Sequence, residues 1–300
     1  MRFILTLVVC LSSFICQARS YDMPSPDAAQ IVGKLSVLKS NGIFNIKEIA
    51  HKYNLGVVEI TEANPNIEYF TPRKNKTLIL PTQTILPHVP YNGILINLAE
   101  LRLYYFDKSS NKVYIFPIGI GKVDRKTPLM TTYISSKIMN PTWTPTAQTR
   151  AEYKEKNKFL PPVVPAGPEN PLGDRAMRLA ANGGVYLIHG TNQKYDIGMR
   201  VSAGCIRMNP DDVRWLFDQV KVHTKVRIIN TPIKYTQGED GNIFVEVHQP
   251  LSKDSSQVGQ FKNVKIPKKL QKLIQNNPKA QNKLQLAIQQ QTGLPVEITK

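Results

Sequence analysis

Apolar and polar positions change period several times along this chain of 300 residues. From about Ile31 to Leu86 the period is helical. Asn45 can cap a helix with Glu48 as reciprocal partner three residues on, and Ile46, Ile49, Ala50 and Tyr53 then recur at helical spacing. Asn54-Leu55-Gly56 stops that helix. Val57, Ile60 and Ala63 suggest a second, ended by Asn64-Pro65-Asn66, and Thr77-Leu78-Ile79-Leu80-Pro81 reads as a short closing strand. The sum is a small strand–helix–helix–strand unit over residues 31–86.

Past the linker Pro87-His88-Val89-Pro90 the period falls to two. Ile94, Ile96 and Leu98 alternate on one face, Leu101, Leu103 and Tyr105 follow, and Lys112 to Ile118 forms another apolar strand. A β-rich domain is expected over 91–235. Between Asn140 and Gly173 lies a proline-rich stretch with no hydrophobic period. Such a stretch in a compact domain is often a functional lid or wall, and an inert surface excursion fits equally. Val185 and Leu187 read as a buried strand with His189 at its end. Asn209 then caps a helix with Pro210 at its first position, and Val213, Leu216, Phe217 and Val220 form its buried face. The remainder, 236–300, is rich in Lys, Gln and Asn. Leu270, Leu273 and Ile274, then Leu284, Ala287 and Ile288, predict one or two helices in a basic surface extension.

The first 20 residues carry a different pattern. Arg2 precedes an apolar run, Phe3 to Cys16, too short to span a bilayer comfortably, and Ala18 and Ser20 have the spacing a signal peptidase prefers. A cleaved secretory signal at 1–20 is expected, hence a periplasmic or cell-envelope location, with a lipoprotein at Cys16, for which Ile15 is a poor preceding residue, or an uncleaved anchor as the alternatives. Cleavage removes Cys10 and Cys16 and leaves Cys205 as the lone thiol. No intramolecular disulfide is then possible. A lone thiol in an oxidising compartment is either inert and buried or reactive.

The formal net charge of +17 favours an anionic partner, or simply a solvated basic surface. No arginine-rich helix or zinc-finger spacing supports nucleic acid. His51, His88, His223 and His248 are scattered without ligand spacing and read as surface or packing residues, so neither metal nor cofactor is expected.

The chemistry concentrates in Gly184-Val185-Tyr186-Leu187-Ile188-His189-Gly190-Thr191-Asn192 and Val201-Ser202-Ala203-Gly204-Cys205-Ile206-Arg207. A thiol must become thiolate to attack a carbonyl, and a neighbouring imidazole is the usual means. Glycine before the cysteine lets backbone N–H groups face a developing oxyanion. Arg207 can lower the thiol pKa or hold a substrate carboxylate.

These two stretches resemble the signature of YkuD-type L,D-transpeptidases. Pro117-Ile118-Gly119-Ile120-Gly121-Lys122, Thr127-Pro128, Asn140-Pro141-Thr142-Trp143-Thr144-Pro145-Thr146, Pro161 to Pro168 and Asn170-Pro171-Leu172-Gly173 extend the likeness to the ErfK/YbiS branch. Ala203 departs from many members, which have His between the Ser and the Gly. Ile49-Ala50-x-x-Tyr53-Asn54, Ile60-x-x-Ala63-Asn64-Pro65-Asn66 and Leu78-Ile79-Leu80-Pro81 are similar to a LysM module, a binder of N-acetylglucosamine-containing glycans. Asn41-Gly42-Ile43-Phe44-Asn45 departs from that family's usual Gly-Asp-Thr.

The resemblance implies a mainly β catalytic domain, a YkuD-like sandwich or barrel, behind a small α+β unit. It implies Cys205 as nucleophile and His189 as base and acid, oriented by the Gly190 carbonyl. It places the oxyanion on backbone N–H groups at Gly204 and Cys205, with Arg207, Ser202, Tyr186 and Trp143 as substrate contacts. The implied partners are peptidoglycan stem peptides and glycan, with an outer-membrane lipoprotein as a further acceptor. The implied product is a 3–3 cross-link or an anchored lipoprotein, and water as acceptor makes a carboxypeptidase. Sortases lack the Ser-x-Gly-Cys-x-Arg arrangement, and NlpC-type peptidases place cysteine before histidine. An inactive glycan-binding scaffold is the alternative from another class.

Overall fold

The computed structural model describes residues 19–68 and 70–300. The expected signal segment, with Cys10 and Cys16, lies outside the described residues except for Arg19 and Ser20. Those two open β1 (Arg19–Asp22).

The N-terminal unit continues with β2 (Ile31–Val32), β3 (Ser36–Lys39), α1 (Ile46–Lys52), α2 (Val57–Ala63), β4 (Thr77–Leu80) and β5 (Thr84–Ile85). The capping box read from the sequence is formed. Asn45 Oδ1 accepts from the Glu48 N–H at 3.0 Å, and Glu48 Oε2 accepts from the Asn45 N–H at 2.8 Å. β3 and β4 pair antiparallel, and Ile46, Ile49, Ile60 and Leu78 fill the space between sheet and helices. Each such side chain contributes about 1.5–3 kcal/mol by leaving water.

The central unit holds β6 (Gly93–Asn97), β7 (Arg102–Asp107), β8 (Lys112–Gly121), β9 (Met130–Met139), α3 (Ala147–Glu155), β10 (Arg175–Leu179), β11 (Leu187–His189), β12 (Arg200–Ser202), β13 (Ile206–Met208), α4 (Pro210–Gln219) and β14 (Lys225–Ile229). The strands run in the order β8-β13-β11-β10-β9-β14-β6-β7, and β7 pairs back onto β8, so the sheet closes on itself. Closure leaves no unpaired edge within that path. The two halves of β8 serve different neighbours: Lys112 to Pro117 pair with β7, Ile118 and Gly119 with β13. Both faces of β6 are covered. Ile94 and Ile96 join Leu103, Phe116 and the apolar face of α4, while Leu95 joins Tyr104 and Val113 on the other side.

The proline-rich stretch contains α3, which the sequence pattern missed. None of its side chains is buried, so it carries no apolar stripe, and the signal that remains is Thr146, whose hydroxyl accepts from the Thr149 N–H at 3.1 Å. Trp143 and Val164 exchange two backbone hydrogen bonds and tie the two proline runs together.

The C-terminal unit comprises β15 (Ile233–Gln237), β16 (Ile243–Val247), α5 (Lys268–Ile274), α6 (Pro278–Gln290) and β17 (Val296–Glu297). β15 crosses the boundary expected at 235. The segment is a folded unit, with Ile233, Val245, Leu270, Leu284 and Ile298 in a core of their own, rather than a surface extension. Leu273, expected on the buried face of its helix, is 44% exposed, because α5 buries Leu270 and Ile274, four residues apart.

A buried ionic cluster joins the three units. Arg102 on β7 reaches Glu59 of α2 (Nε–Oε1 3.0 Å) and Glu246 of β16 (Nη1–Oε1 3.0 Å). Lys234 on β15 reaches Glu100 at 2.8 Å and Glu246 at 2.9 Å. His248 lies between Glu246 (2.7 Å) and Glu62 (3.0 Å). Burial opposes its charge, but hydrogen bonds to the two carboxylates prevail and push its pKa up to about 9. His248 is therefore a buried ion-pair partner. Glu100, Glu246 and His248 stand close enough to hold a metal ion, yet the Lys234 ammonium already supplies the positive charge there.

Candidate active site

β11 and β13 lie side by side and parallel, with Ile188 opposite Ile206 and His189 opposite Arg207. Alternation sends Ile188 and Ile206, both fully buried, into the core. It leaves His189 and Arg207 on the other face, and Cys205 enters β13 two residues before Arg207. The three residues separated in sequence by a 16-position gap are thus brought together by one strand pairing.

His189 is 3% exposed, and its Nδ1 lies 2.7 Å from the Gly190 carbonyl, the partner expected from the sequence. A proton on Nδ1 donated to that carbonyl leaves Nε2 with its lone pair. Burial drives the imidazole pKa down to about 3, with the Arg207 charge adding to the effect and the Gly190 and Leu172 carbonyls opposing it. The Leu172 carbonyl was not foreseen. It arrives through Gly173 (φ +68), where an added Cβ would lie 3.1 Å from Gly190 Cα.

Cys205 is a free, partly buried thiol whose Sγ lies 3.7 Å from the Val185 carbonyl. Burial pushes its pKa up, opposed by the Leu187 backbone N–H and by the Arg207 and Arg178 guanidiniums. Thiol and imidazole therefore both rest neutral.

The turn that presents the thiol is held from two sides. Ser202 Oγ accepts from the Gly204 N–H at 3.1 Å and donates to the Cys205 carbonyl at 2.6 Å. Thr127 Oγ1 donates to the Gly204 carbonyl at 2.8 Å and accepts from the Gly121 N–H at 3.0 Å. This corrects two expectations. The Gly204 N–H is committed to Ser202 rather than aimed at an oxyanion, and the Ser202 proton is committed to the Cys205 carbonyl rather than to substrate. The glycine at 204 is instead required by its φ of +110 and by the Tyr186 ring, which would lie 3.1 Å from an added Cβ. Thr127 was part of the sequence likeness, but its role needed the fold.

A cavity of about 650 Å³ runs past this turn. Ser202, Ala203 and Arg207 line one side, Lys122 and Arg125 another, and Trp143, Tyr153 and Val164 of the proline-rich stretch the third. Trp143 is therefore placed against the cavity, while Tyr186 sits beside Gly204. Burial lowers the Arg207 pKa, with Asp196, Cys205 and Tyr153 opposing, and its Nε is buried without a hydrogen-bond partner. Arg125 forms a short ion pair with Glu152 of α3 and donates to Thr149 at 3.2 Å. This polar latch attaches a helix that buries nothing.

Residues 91–228 match the L,D-transpeptidase catalytic domain known as YkuD, and residues 232–298 match the L,D-transpeptidase C-terminal domain. The chain is 44% identical to the probable L,D-transpeptidase YcfS of Escherichia coli over 95% of its own length and 89% of that protein's. It is 39% identical to the probable L,D-transpeptidase ErfK/SrfK of the same organism, over 98% and 95%, and 40% identical to the probable L,D-transpeptidase YbiS, over 94% and 92%. The chain belongs to the L,D-transpeptidase family. The mainly β fold of the central unit is that of an L,D-transpeptidase catalytic domain, and the 236–300 segment falls largely within the family's C-terminal domain.

Proposed function

We propose that this L,D-transpeptidase acts on peptidoglycan through a thioester on Cys205. The observation that carries the reading is the pairing of β11 with β13, which sets His189 opposite Arg207 with Cys205 two residues before it, while Arg207 and the Ser202-Ala203 turn line a cavity of about 650 Å³. His189 Nε2 takes the thiol proton as the sulfur attacks the carbonyl of the third residue of a tetrapeptide stem, diaminopimelate in Gram-negative walls. The peptide bond to the terminal D-alanine breaks, and the imidazolium returns the proton to the departing amine. With the Gly204 N–H engaged, the Cys205 N–H is the donor assigned to the oxyanion.

An amine then attacks the thioester, passes a proton to His189, and releases the thiolate. A diaminopimelate amine of another stem gives a 3–3 cross-link, and a lysine of an outer-membrane lipoprotein gives an anchored protein. Arg207, with its unpartnered buried Nε, and Trp143 are the assigned substrate contacts. Arg2 followed by the apolar run Phe3 to Cys16 supports a secretory signal and hence a periplasmic location, and the strand–helix–helix–strand unit is the assigned glycan-facing module.

Cys205→Ala is expected to abolish D-alanine release from purified tetrapeptide substrate and to prevent acylation of the protein by a carbapenem. Full turnover by that variant refutes the reading. Mass spectrometry of wall fragments from cells with and without active enzyme separates the acceptors: loss of 3–3 dimers marks cross-linking, and loss of bound lipoprotein marks anchoring.

A further inference from the structure

The segment that runs from His189 to Cys205 rests on the N-terminal unit as well as on the barrel. Lys47 of α1 pairs with Asp196 at 3.1 Å, and the His51 ring meets Tyr195 edge-on at 5.4 Å between centroids. The first N–H groups of α2 are donated to this same segment, Val57 to the Ile197 carbonyl at 3.3 Å and Val58 to the Gly198 carbonyl at 3.1 Å. These are donors that a helix N-terminus leaves without an internal partner, so the segment completes the helix. Met199 packs into the apolar core of the N-terminal unit. Gly198 and Gly56 are so close that a Cβ on Gly198 would lie 2.2 Å from Gly56 Cα.

The same unit grips the other flank of the site. Asn54, at the end of α1, accepts from Asn209 Nδ2 at 2.7 Å and donates to Asp212 at 3.0 Å, all three buried. Asn209 stands two residues after Arg207. Its side chain is turned to Asn54 and Asp212 and makes no cap bond to α4.

We propose that the N-terminal unit is a positioning element of the active site: Lys47, His51 and Asn54 set where His189, Cys205 and Arg207 stand by holding the segment between them and the residue that follows them. The inference rests on the nucleophile and base assigned above. Asp196 is the link with most leverage. It faces Arg207 electrostatically and is pinned by Lys47 from the other side.

The test uses the full chain and D-alanine release from tetrapeptide. The double variant Lys47→Ala/His51→Ala removes two partly exposed side chains, and Gly198→Ala forces the segment away from Gly56. Both are expected to lower kcat about tenfold with KM within about twofold, since small displacements of reacting groups act on the chemical step. Lys47→Arg is expected to retain kcat, as is Lys300→Ala, whose exposed side chain pairs with Glu297 in the C-terminal unit. A folded double variant, with unchanged circular dichroism and thermal transition, that turns over at the wild-type kcat overturns the proposal. So does a loss confined to KM or one that tracks the unfolded fraction. Cys205→Ala is run alongside: if it turns over, the assigned nucleophile is wrong; if it is inactive while the double variant is normal, the positioning role alone fails.

Discussion

Ser202→Ala removes one atom and two hydrogen bonds from the turn that carries Cys205, the proposed nucleophile. The hydroxyl accepts from the Gly204 N–H at 3.1 Å and donates to the Cys205 carbonyl at 2.6 Å, and the residue is 3% exposed. Each buried group left without a partner costs about 1–3 kcal/mol, so the pair sums to about 2–4 kcal/mol once some relaxation is allowed. For a chain of this size that corresponds to a fall in Tm of roughly 3–7 °C. The kinetic effect is larger than the loss of stability suggests. Freed from Ser202, the 202–205 turn no longer fixes Sγ, and a shift of about 1 Å in a reacting group costs about 100-fold in rate. Scanning calorimetry and kcat for D-alanine release measure both at once, at a temperature where the variant is folded. A Tm within about 2 °C of wild type together with unchanged kcat refutes the claim that this hydroxyl builds the site. A rise in KM with kcat intact returns Ser202 to the role of substrate contact.

Other parts of the structure give their own tests. Arg102→Met leaves Glu59, Glu100 and Glu246 buried beside one cation fewer, and breaking a buried pair costs about 3–5 kcal/mol, so the urea midpoint should fall clearly; an unchanged midpoint refutes the cluster's role as the joint between units. Because burial raises the Cys205 pKa from 9.0, iodoacetamide should label it slowly at neutral pH and faster through pH 9 and beyond, whereas a flat rate between pH 5 and 8 indicates a resting thiolate–imidazolium pair. The His189 pKa is depressed to about 3, so the neutral imidazole is present above that value and lost only as pH falls through it; an acid limb near the ordinary histidine value, measured where the protein is folded, contradicts the assigned burial. Glu152→Gln weakens the latch to Arg125, and limited proteolysis should then cut within 147–160 sooner than in wild type.

Local patterns were legible wherever the determining interactions are close in sequence. The Asn45–Glu48 capping box, the alternation of Ile94 and Ile96, and the buried face of α4 each depend on residues within one or two turns of one another, and each formed as read. The C-terminal strands have a local signature as well, since Ile243, Val245 and Val247 alternate, but the lysine-rich surroundings are equally those of a surface extension. α3 gave no apolar signal because a helix attached through Arg125 buries no face.

By itself, then, the sequence singled out the candidates for the chemistry: a cysteine after a glycine, a histidine at a strand end and an arginine two residues on. Which of their neighbours act was a matter of tertiary structure. The parallel pairing of β11 with β13 sets His189 beside Arg207, the barrel brings Thr127 to Gly204 across 77 positions, and the closure of Ser202 onto the turn takes the Gly204 N–H out of use. The physical reason is that a hydrogen bond or an ion pair is decided by distance after folding. Asn54 with Asn209, 155 positions apart, and Arg102 with Glu246, 144 apart, have no local signature, because their partners are chosen by how three units pack.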